Sequence, residues 1–108
     1  MRTIKKSSGR IELEMQVIEM GDDCCVVLTG GEAHLGAVTA GSDAQGFETV
    51  RFGSHKEFAV TEYLKTVISK RFDGRFSICC GIHYDRITKE EIETVFALSE
   101  AMAIEIFE

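Results

Sequence analysis

The chain contains no proline, and its basic residues are few. Twelve lysines and arginines stand against eighteen aspartates and glutamates, so the 108 residues carry a net charge of −6. Proteins that bind nucleic acid neutralise its phosphates with lysine and arginine, and this acidic balance argues against that class. No stretch approaches the roughly 20 apolar residues that a membrane-spanning helix requires. We therefore expect neither nucleic acid nor a membrane as a partner.

Common catalytic signatures are missing as well. The sequence has no nucleophile elbow, no Walker loop and no Gly-x-Gly-x-x-Gly run. Its four cysteines form two adjacent pairs, Cys24-Cys25 and Cys79-Cys80, without the Cys-x-x-Cys spacing of a metal or redox site. Both pairs lie in apolar runs, so we expect buried, reduced thiols. Acidic, strand-like sequence follows the basic start, where a signal peptide would have its apolar core, and we expect a cytoplasmic protein.

Five segments have the pattern of β-strands. Residues 11–17 alternate between apolar and polar side chains, which predicts a strand with one wet face. Residues 24–29 are almost entirely apolar, so this strand is expected to be buried on both faces. The remaining predicted strands cover residues 35–40, 47–52 and 75–82.

Two helices are predicted from capping-box patterns, in which a serine or threonine precedes a glutamate by three residues. Ser54 with Glu57 begins a helix that extends to about residue 71, and Thr88 with Glu91 begins another that covers the rest of the chain. The expected fold is α+β, with a mixed, largely antiparallel five-stranded sheet and two helices in the order ββββαβα. We expect a tail over residues 1–9 and a single domain over residues 10–108.

Three loops of this fold are expected at one edge of the sheet. Successive strands run antiparallel, and a helical crossover makes the fifth strand parallel to the fourth, so the second, fourth and fifth strands end together. Half of the glycines and every histidine lie in these loops. They are Gly30, Gly31, Gly36, Gly53 and Gly81, with His34, His55 and His83. Three histidines could hold one divalent metal ion such as zinc or manganese, but a ligand-sized pocket tolerates the separation of the strands better.

The same edge has features of an anion site. At Gly30-Gly31 the backbone can turn sharply and approach a ligand with its N–H groups pointing outward. The helix beginning at Ser54 offers free N–H groups and the positive end of its dipole. Lys56 adds a positive charge where capping would favour a carboxylate. A small phosphorylated ligand fits these features, and a lysine solvated on the helix rim is the alternative interpretation.

Three motifs resemble a known family. They are GGEAHLGAV at residues 30–38, SHKE at residues 54–57 and GIHYDRITKEEI at residues 81–92. They resemble the small D-subunit proteins that accompany gallate-type and other hydroxyarylic acid decarboxylases. These are the prenylated-flavin chaperones, a group similar in fold to the proteasome assembly chaperones. The resemblance covers most of the chain from about residue 10 onward.

The resemblance implies a non-catalytic carrier. Such a protein holds reduced prenylated flavin mononucleotide, or ordinary FMN, and passes it to the catalytic subunit of a hydroxyarylic acid decarboxylase. A divalent metal could bridge the phosphate to histidine. By position, His34, His55 and His83 are the implied ligand or metal contacts. The implied phosphate end or its support comprises Gly30, Gly31, Lys56 and Glu57, and Gly36 and Ser54 complete the candidate cofactor-binding set.

Two other function classes remain open from the sequence. One is a hydrolase in which three histidines hold a metal that activates water. The other is a protein-interaction module that acts through a sheet edge or a helical face and binds no small ligand. We also expect a homodimer, because a pocket at the end of a sheet can be completed by a second copy.

Overall fold

The computed structural model describes residues 1–53 and 56–108. Within these residues it has six strands and two helices. In chain order they are β1 (Arg2–Ser8), β2 (Ile11–Met20), β3 (Asp23–Gly31), β4 (Ala37–Ser42), β5 (Gly46–Arg51), α1 (Glu57–Ser69), β6 (Phe76–His83) and α2 (Lys89–Ile106). The α+β class and both helices are as predicted. Neither helix is long and apolar enough to cross a membrane.

The prediction of five strands was wrong by one, and so was the expected order. The element order is βββββαβα rather than ββββαβα, and in the sheet the order is β1-β2-β3-β6-β4-β5, with β6 between β3 and β4. The additional strand, β1, lies in the residues expected to form a tail, and its Ile4 pairs with Met15 of β2. Its sequence, RTIKKSS, lacks apolar alternation because Ile4 is its one residue packed against the core. Backbone pairing with β2 therefore defines this strand more than side-chain burial does.

The predicted strand directions are confirmed. Strand β6 runs parallel to β3 and antiparallel to β4, and β4 runs antiparallel to β5. Consequently β3, β5 and β6 end at the same edge of the sheet. The described residues of the three loops singled out in the sequence lie at that edge, whereas Ser54 and His55 of the second loop are outside the described residues.

Both helices pack on one face of the sheet and form the core with it. On β2 the residues at alternate positions are fully buried and their neighbours are polar, as the period of two predicted. Burying a leucine or isoleucine side chain contributes roughly 1.5–3 kcal/mol relative to its exposure. The buried side chains that join the layers are Leu13, Met15 and Val17 of β2, Val26 and Leu28 of β3, Leu64 and Ile68 of α1, and Met102 and Ile106 of α2.

The two helices start differently. Helix α2 has the predicted capping box: the Thr88 hydroxyl accepts from the Glu91 N–H at 3.1 Å, and the Glu91 carboxylate accepts from the Thr88 N–H at 3.0 Å. Helix α1 begins at Glu57 with Lys56 as its N-cap, and the Lys56 side chain makes no capping hydrogen bond. The predicted start at Ser54 was therefore too early, and Ser54 itself lies outside the described residues. The reason is that Glu57 bonds to His34 and to the end of β6 instead.

Candidate functional site

The loop between β3 and β4 folds along the end of β6. The Gly36 N–H donates to the Cys80 carbonyl at 2.9 Å, and the Glu32 N–H donates to the His83 carbonyl at 3.1 Å. The regular pairing of β4 with β6 reaches Cys80 and stops there, so the N–H of Ile82 extends past the start of β4. The Glu57 carboxylate accepts this N–H at 3.3 Å. The first residue of α1 thus satisfies a backbone N–H of β6 that lies beyond the pairing with β4.

Glu57 also binds His34. The His34 Nε2 lies 2.5 Å from the Glu57 Oε2, and the carboxylate side chain is only 7% exposed. The His34 Nδ1 lies 3.0 Å from the carbonyl oxygen of Glu32. A carbonyl oxygen can only accept, so in this contact Nδ1 is the donor, while Nε2 faces the carboxylate. The pair links α1, β6 and the β3–β4 loop, and it satisfies a carboxylate that would be costly to bury alone.

The glycines of this edge allow these close contacts. A Cβ on Gly36 would lie 2.1 Å from the Glu57 Oε2, and one on Gly81 would lie 1.5 Å from the His34 carbonyl oxygen. Gly31 has a φ of +64°, and a Cβ there would lie 1.9 Å from the His83 carbonyl oxygen. Small size at these positions thus lets the loop, the strand and the helix meet.

A second set of bonds fixes the β6–α2 loop. The Tyr84 hydroxyl donates to the Glu12 carbonyl at 2.8 Å and accepts from the Glu12 N–H at 2.9 Å. Arg10 binds both carboxylate oxygens of Glu91, at 2.7 and 3.0 Å. The His83 Nε2 lies 3.1 Å from the Asp85 Oδ1, at the solvent-exposed side of the loop. The start of β2 therefore holds this loop beside the site.

A groove of about 360 Å³ lies between the first turns of α1 and α2 and the end of β6. This volume falls in the range of small-molecule sites, roughly 300–1,000 Å³. Lys56, Glu57, His83 and Tyr84 provide its polar groups. The apolar wall consists of Val60, Ile82, Ile87, Ile92, Val95 and Phe96. The arrangement suits a ligand with a flat apolar body and an anionic end that Lys56 can meet.

The opposite end of the sheet has a larger depression, of about 490 Å³. Three aspartates line it, Asp23, Asp43 and Asp73, and its Arg75 is paired with Asp23 at 3.3 Å. A phosphorylated ligand would meet net negative charge there. The groove at the helix starts is therefore the better candidate site.

The structure brings together most of the predicted site residues that it describes. Lys56, Glu57 and His83 line the groove, and His34 bonds to Glu57 directly. Gly36 is packed against the same carboxylate, and Gly31 against the backbone of His83.

Gly30 has different surroundings. A Cβ on Gly30 would lie 2.4 Å from the Leu13 Cδ2, so this position faces the core. The predicted residues Ser54 and His55 lie outside the described part of the chain.

The structure does not support the predicted metal site. Over residues 1–53 and 56–108, no three His, Cys, Asp or Glu side chains are grouped as metal ligands. His34 is bound to Glu57, whereas His83 is bound to Asp85, so the two imidazoles have different partners. His55, the third predicted ligand, is not among the described residues.

Sequence reasoning missed the apolar wall of the groove. The helical period places Ile92 in the buried stripe of the second helix, but this residue is 44% exposed and faces the groove. Ile82 and Ile87 lie within the motif of residues 81–92, but neither was predicted to line the site. The signal was present in Ile87, because an apolar side chain in a loop of polar residues suggests that something covers it.

The cysteines are free thiols, as expected. Cys24 and Cys80 are buried, and Cys25 and Cys79 are half-buried. Burial raises the pKa of Cys24 and of Cys79 to about 11 each and raises that of Cys80 further. Such thiols are weak nucleophiles at neutral pH.

Comparison with known proteins agrees with this geometry. Residues 7–108 match the family model described as the prenylated flavin chaperone LpdD-like domain. The chain belongs to this family. Protein LpdD of Lactiplantibacillus plantarum is 30% identical over 110 residues, which cover 96% of this chain and 79% of the relative. The resemblance drawn from the three motifs is thus confirmed, and the family supports a chaperone role.

The fold also resembles that of a solved structure. A chain of the crystal structure titled "a novel chaperone complex for yeast 20S proteasome assembly" superposes with a TM-score of 0.65. The match covers 97% of this chain and 93% of the other, at 9% identity. At this identity the likeness concerns the fold alone.

Proposed function

We propose that this family member is a non-catalytic carrier of flavin mononucleotide in its reduced, prenylated form. It holds the cofactor in the groove between the starts of α1 and α2 and delivers it to the catalytic subunit of a hydroxyarylic acid decarboxylase. The observation that carries the proposal is the groove itself, which combines an apolar wall with Lys56, the N-cap residue of α1, whose side chain makes no capping hydrogen bond. Its volume and chemistry fit a flavin better than they fit a polar metabolite.

Each part of the groove has a role in this proposal. The cofactor phosphate lies at the start of α1, where Lys56 and the helix dipole attract negative charge. The ring system lies against Ile82, Ile92 and Phe96. The buried Glu57–His34 pair keeps the floor of the groove rigid, because it joins three elements of the fold.

The partner and the compartment follow from the same role. A carrier must release its cargo to an enzyme, and the decarboxylase catalytic subunit is the proposed recipient. Free thiols agree with a reducing compartment, so the proposal places the protein in the cytoplasm. We also propose that the carrier is a homodimer.

The cargo can be tested by anaerobic desalting. The purified protein is mixed with reduced prenylated FMN, or with FMN, passed over a desalting column, and its absorbance spectrum is recorded. We expect about one flavin per chain, with prenylated FMN retained better than FMN. Absence of any retained chromophore would refute the cargo, and if the protein still activated a decarboxylase, the interaction-module alternative would replace it.

The phosphate contact can be tested with a matched pair of variants on the same helix. Lys56→Glu should weaken flavin binding tenfold or more, since a charge-assisted contact is worth roughly 1.5–3 kcal/mol. Lys70→Glu is the control, because Lys70 lies at the other end of α1 and should bind flavin normally. Equal binding by the two variants would place the phosphate elsewhere.

A further inference from the structure

The face of the sheet opposite the helices, which we call the open face, has an unusual composition. On β2 its side chains include Glu12, Glu14 and Gln16, as expected for a surface in water. The three strands β3, β6 and β4 differ, because apart from Asp23 at the start of β3 their side chains on this face are uncharged. These residues are Cys25, Val27 and Thr29 of β3, Ser77 and Cys79 of β6, and Val38 and Ala40 of β4.

One uncharged row crosses the entire sheet. The registers of adjacent strands place its members side by side on the open face. The row runs Thr3, Gln16, Val27, Cys79, Val38 and Val50. Next to it, Ile18 pairs with Cys25. Ile18 and Val50 are among the large apolar side chains that are most exposed, at 40% and 54%.

This pattern is typical of strands that are covered on both faces. The sequence of residues 24–29 already indicated burial on two sides, yet within the described residues the two helices cover only one. An exposed apolar surface of this extent marks a protein contact. The open face therefore needs a partner.

We propose that the partner is a second copy of this chain, with the two open faces packed against each other. The inference rests on the homodimer proposed above and names the surface that forms it. Two sheets pack face to face about 10 Å apart when their facing side chains are small and uncharged. A two-fold axis that lies in the contact plane, perpendicular to the uncharged row, brings that row onto its own copy, so that no charge is buried along it.

The size of the face agrees with this arrangement. Six strands about 4.8 Å apart and some 25 Å long give a flat footprint on the order of 600 Å². The accessible area of a pleated surface exceeds its flat footprint, so each copy approaches the roughly 800 Å² of a standard interface. Glu12 at the start of β2 and Glu48 of the edge strand β5 lie at its rim, where charged side chains are normal. Glu14 lies nearer the centre and is paired with Lys5 at 3.5 Å.

Sedimentation velocity over a range of concentrations tests the proposal with variants that the isolated chain can tolerate. Ala40 is exposed on the open face and faces Glu48 across the β4–β5 pair, so Ala40→Lys is compatible with the folded chain. A separate variant, Val50→Lys, places a lysine at another position of the same face. Tyr63→Lys is the control, since Tyr63 is similarly exposed but lies on α1 in the helix layer. Circular dichroism verifies that each variant is folded.

We expect the wild type and Tyr63→Lys to sediment at twice the chain mass of 12.0 kDa. Ala40→Lys and Val50→Lys should raise the dimer dissociation constant at least a hundredfold. A monomeric wild type would overturn both the homodimer and this surface. A dimer that persists in both open-face variants would overturn the surface alone, and a wild type that pairs only with a different protein would overturn the second copy as the occupant. Flavin retention is measured separately, so failure of the cargo proposal is distinguishable from each of these results.

Discussion

The two helices begin with the same short sequence pattern, a serine or threonine followed three residues later by glutamate, and they use that glutamate differently. In α2, Glu91 closes a capping box with Thr88 and binds Arg10 at the surface. In α1, Glu57 turns away from the helix start, is almost fully buried, and binds His34 and the end of β6. One glutamate stabilises a helix, whereas the other joins three elements around a groove.

The difference shows what a local pattern leaves undecided. A capping box satisfies helix N–H groups at any surface, so α2 requires nothing beyond its own residues. At α1 the carboxylate binds a histidine and the Ile82 N–H instead, and the N-cap residue Lys56 makes no side-chain capping hydrogen bond. A helix start whose N-cap residue is a lysine is the feature that an anion can use.

Removal of Glu57 should have the largest effect on stability of any single substitution at the two helix starts. Glu57→Ala leaves the His34 imidazole and the Ile82 N–H without their carboxylate, and we expect a loss of about 3 kcal/mol in the free energy of unfolding. Urea denaturation measures this loss, and Glu91→Ala is the comparison at the other helix and should lose less. A loss for Glu57→Ala no greater than that for Glu91→Ala would show that the two glutamates are equivalent after all.

Gly36→Ala should be the next most disruptive change. Its methyl group would lie where the Glu57 carboxylate lies, and forcing this contact should cost about 2 kcal/mol of stability. The cost should fall below about 1 kcal/mol when Glu57→Ala is already present, because the space is then vacant. Additive losses in this double-mutant cycle would mean that Gly36 acts through something other than Glu57.

Much of the fold could be predicted because much of it is local. The capping box and the apolar face of α2 each depend on residues that lie within four positions of each other. The strand directions follow from short connections between strands. The position of β6 could not be predicted, since its pairing with both β3 and β4 joins segments that are distant in sequence. Strand β1 was missed because its residues, which include Lys5 and Lys6, do not alternate between apolar and polar side chains.

The candidate site could likewise be predicted only in part. The edge that carries His34 and His83 was predicted correctly from strand direction. Their partners were not, because the spacing of Glu57 from Ser54 predicts a capping residue, and the pairing of His34 with Glu57 depends on how α1 docks. The exposure of Ile92 was missed for a related reason. Helical periodicity identifies an apolar face of a helix but does not show whether that face packs in the core or lines a groove.

The capping box of α2 should make a smaller contribution than the Glu57 pair. Thr88→Ala removes the acceptor for the Glu91 N–H, and we expect a loss of about 1 kcal/mol in urea denaturation. Flavin retention should be unchanged, because the box serves the helix and not the ligand. A variant that folds normally but no longer retains flavin would contradict this separation.

The smallest effect should be a dependence on acid pH. Bonds from Arg10 and from the Thr88 backbone lower the pKa of Glu91 to about 2, from an ordinary value of 4.5. A lowered pKa in the folded state means that this stabilisation is complete above pH 4.5 and is lost as the pH falls toward 2. The stability difference between the wild type and Glu91→Gln should therefore shrink between pH 6 and pH 3. A difference that stays constant over this range would mean that ionised Glu91 contributes nothing.

The central claim is that the groove at the start of α1 holds the cofactor, and amide NMR tests it most directly. Protein labelled with ¹⁵N is titrated anaerobically with reduced prenylated FMN, and the shift of each backbone amide is followed. The account predicts the largest changes at Lys56, Ile82 and Ile92, around the groove. Largest changes at Asp43 and Asp73, at the opposite end of the sheet, would contradict it.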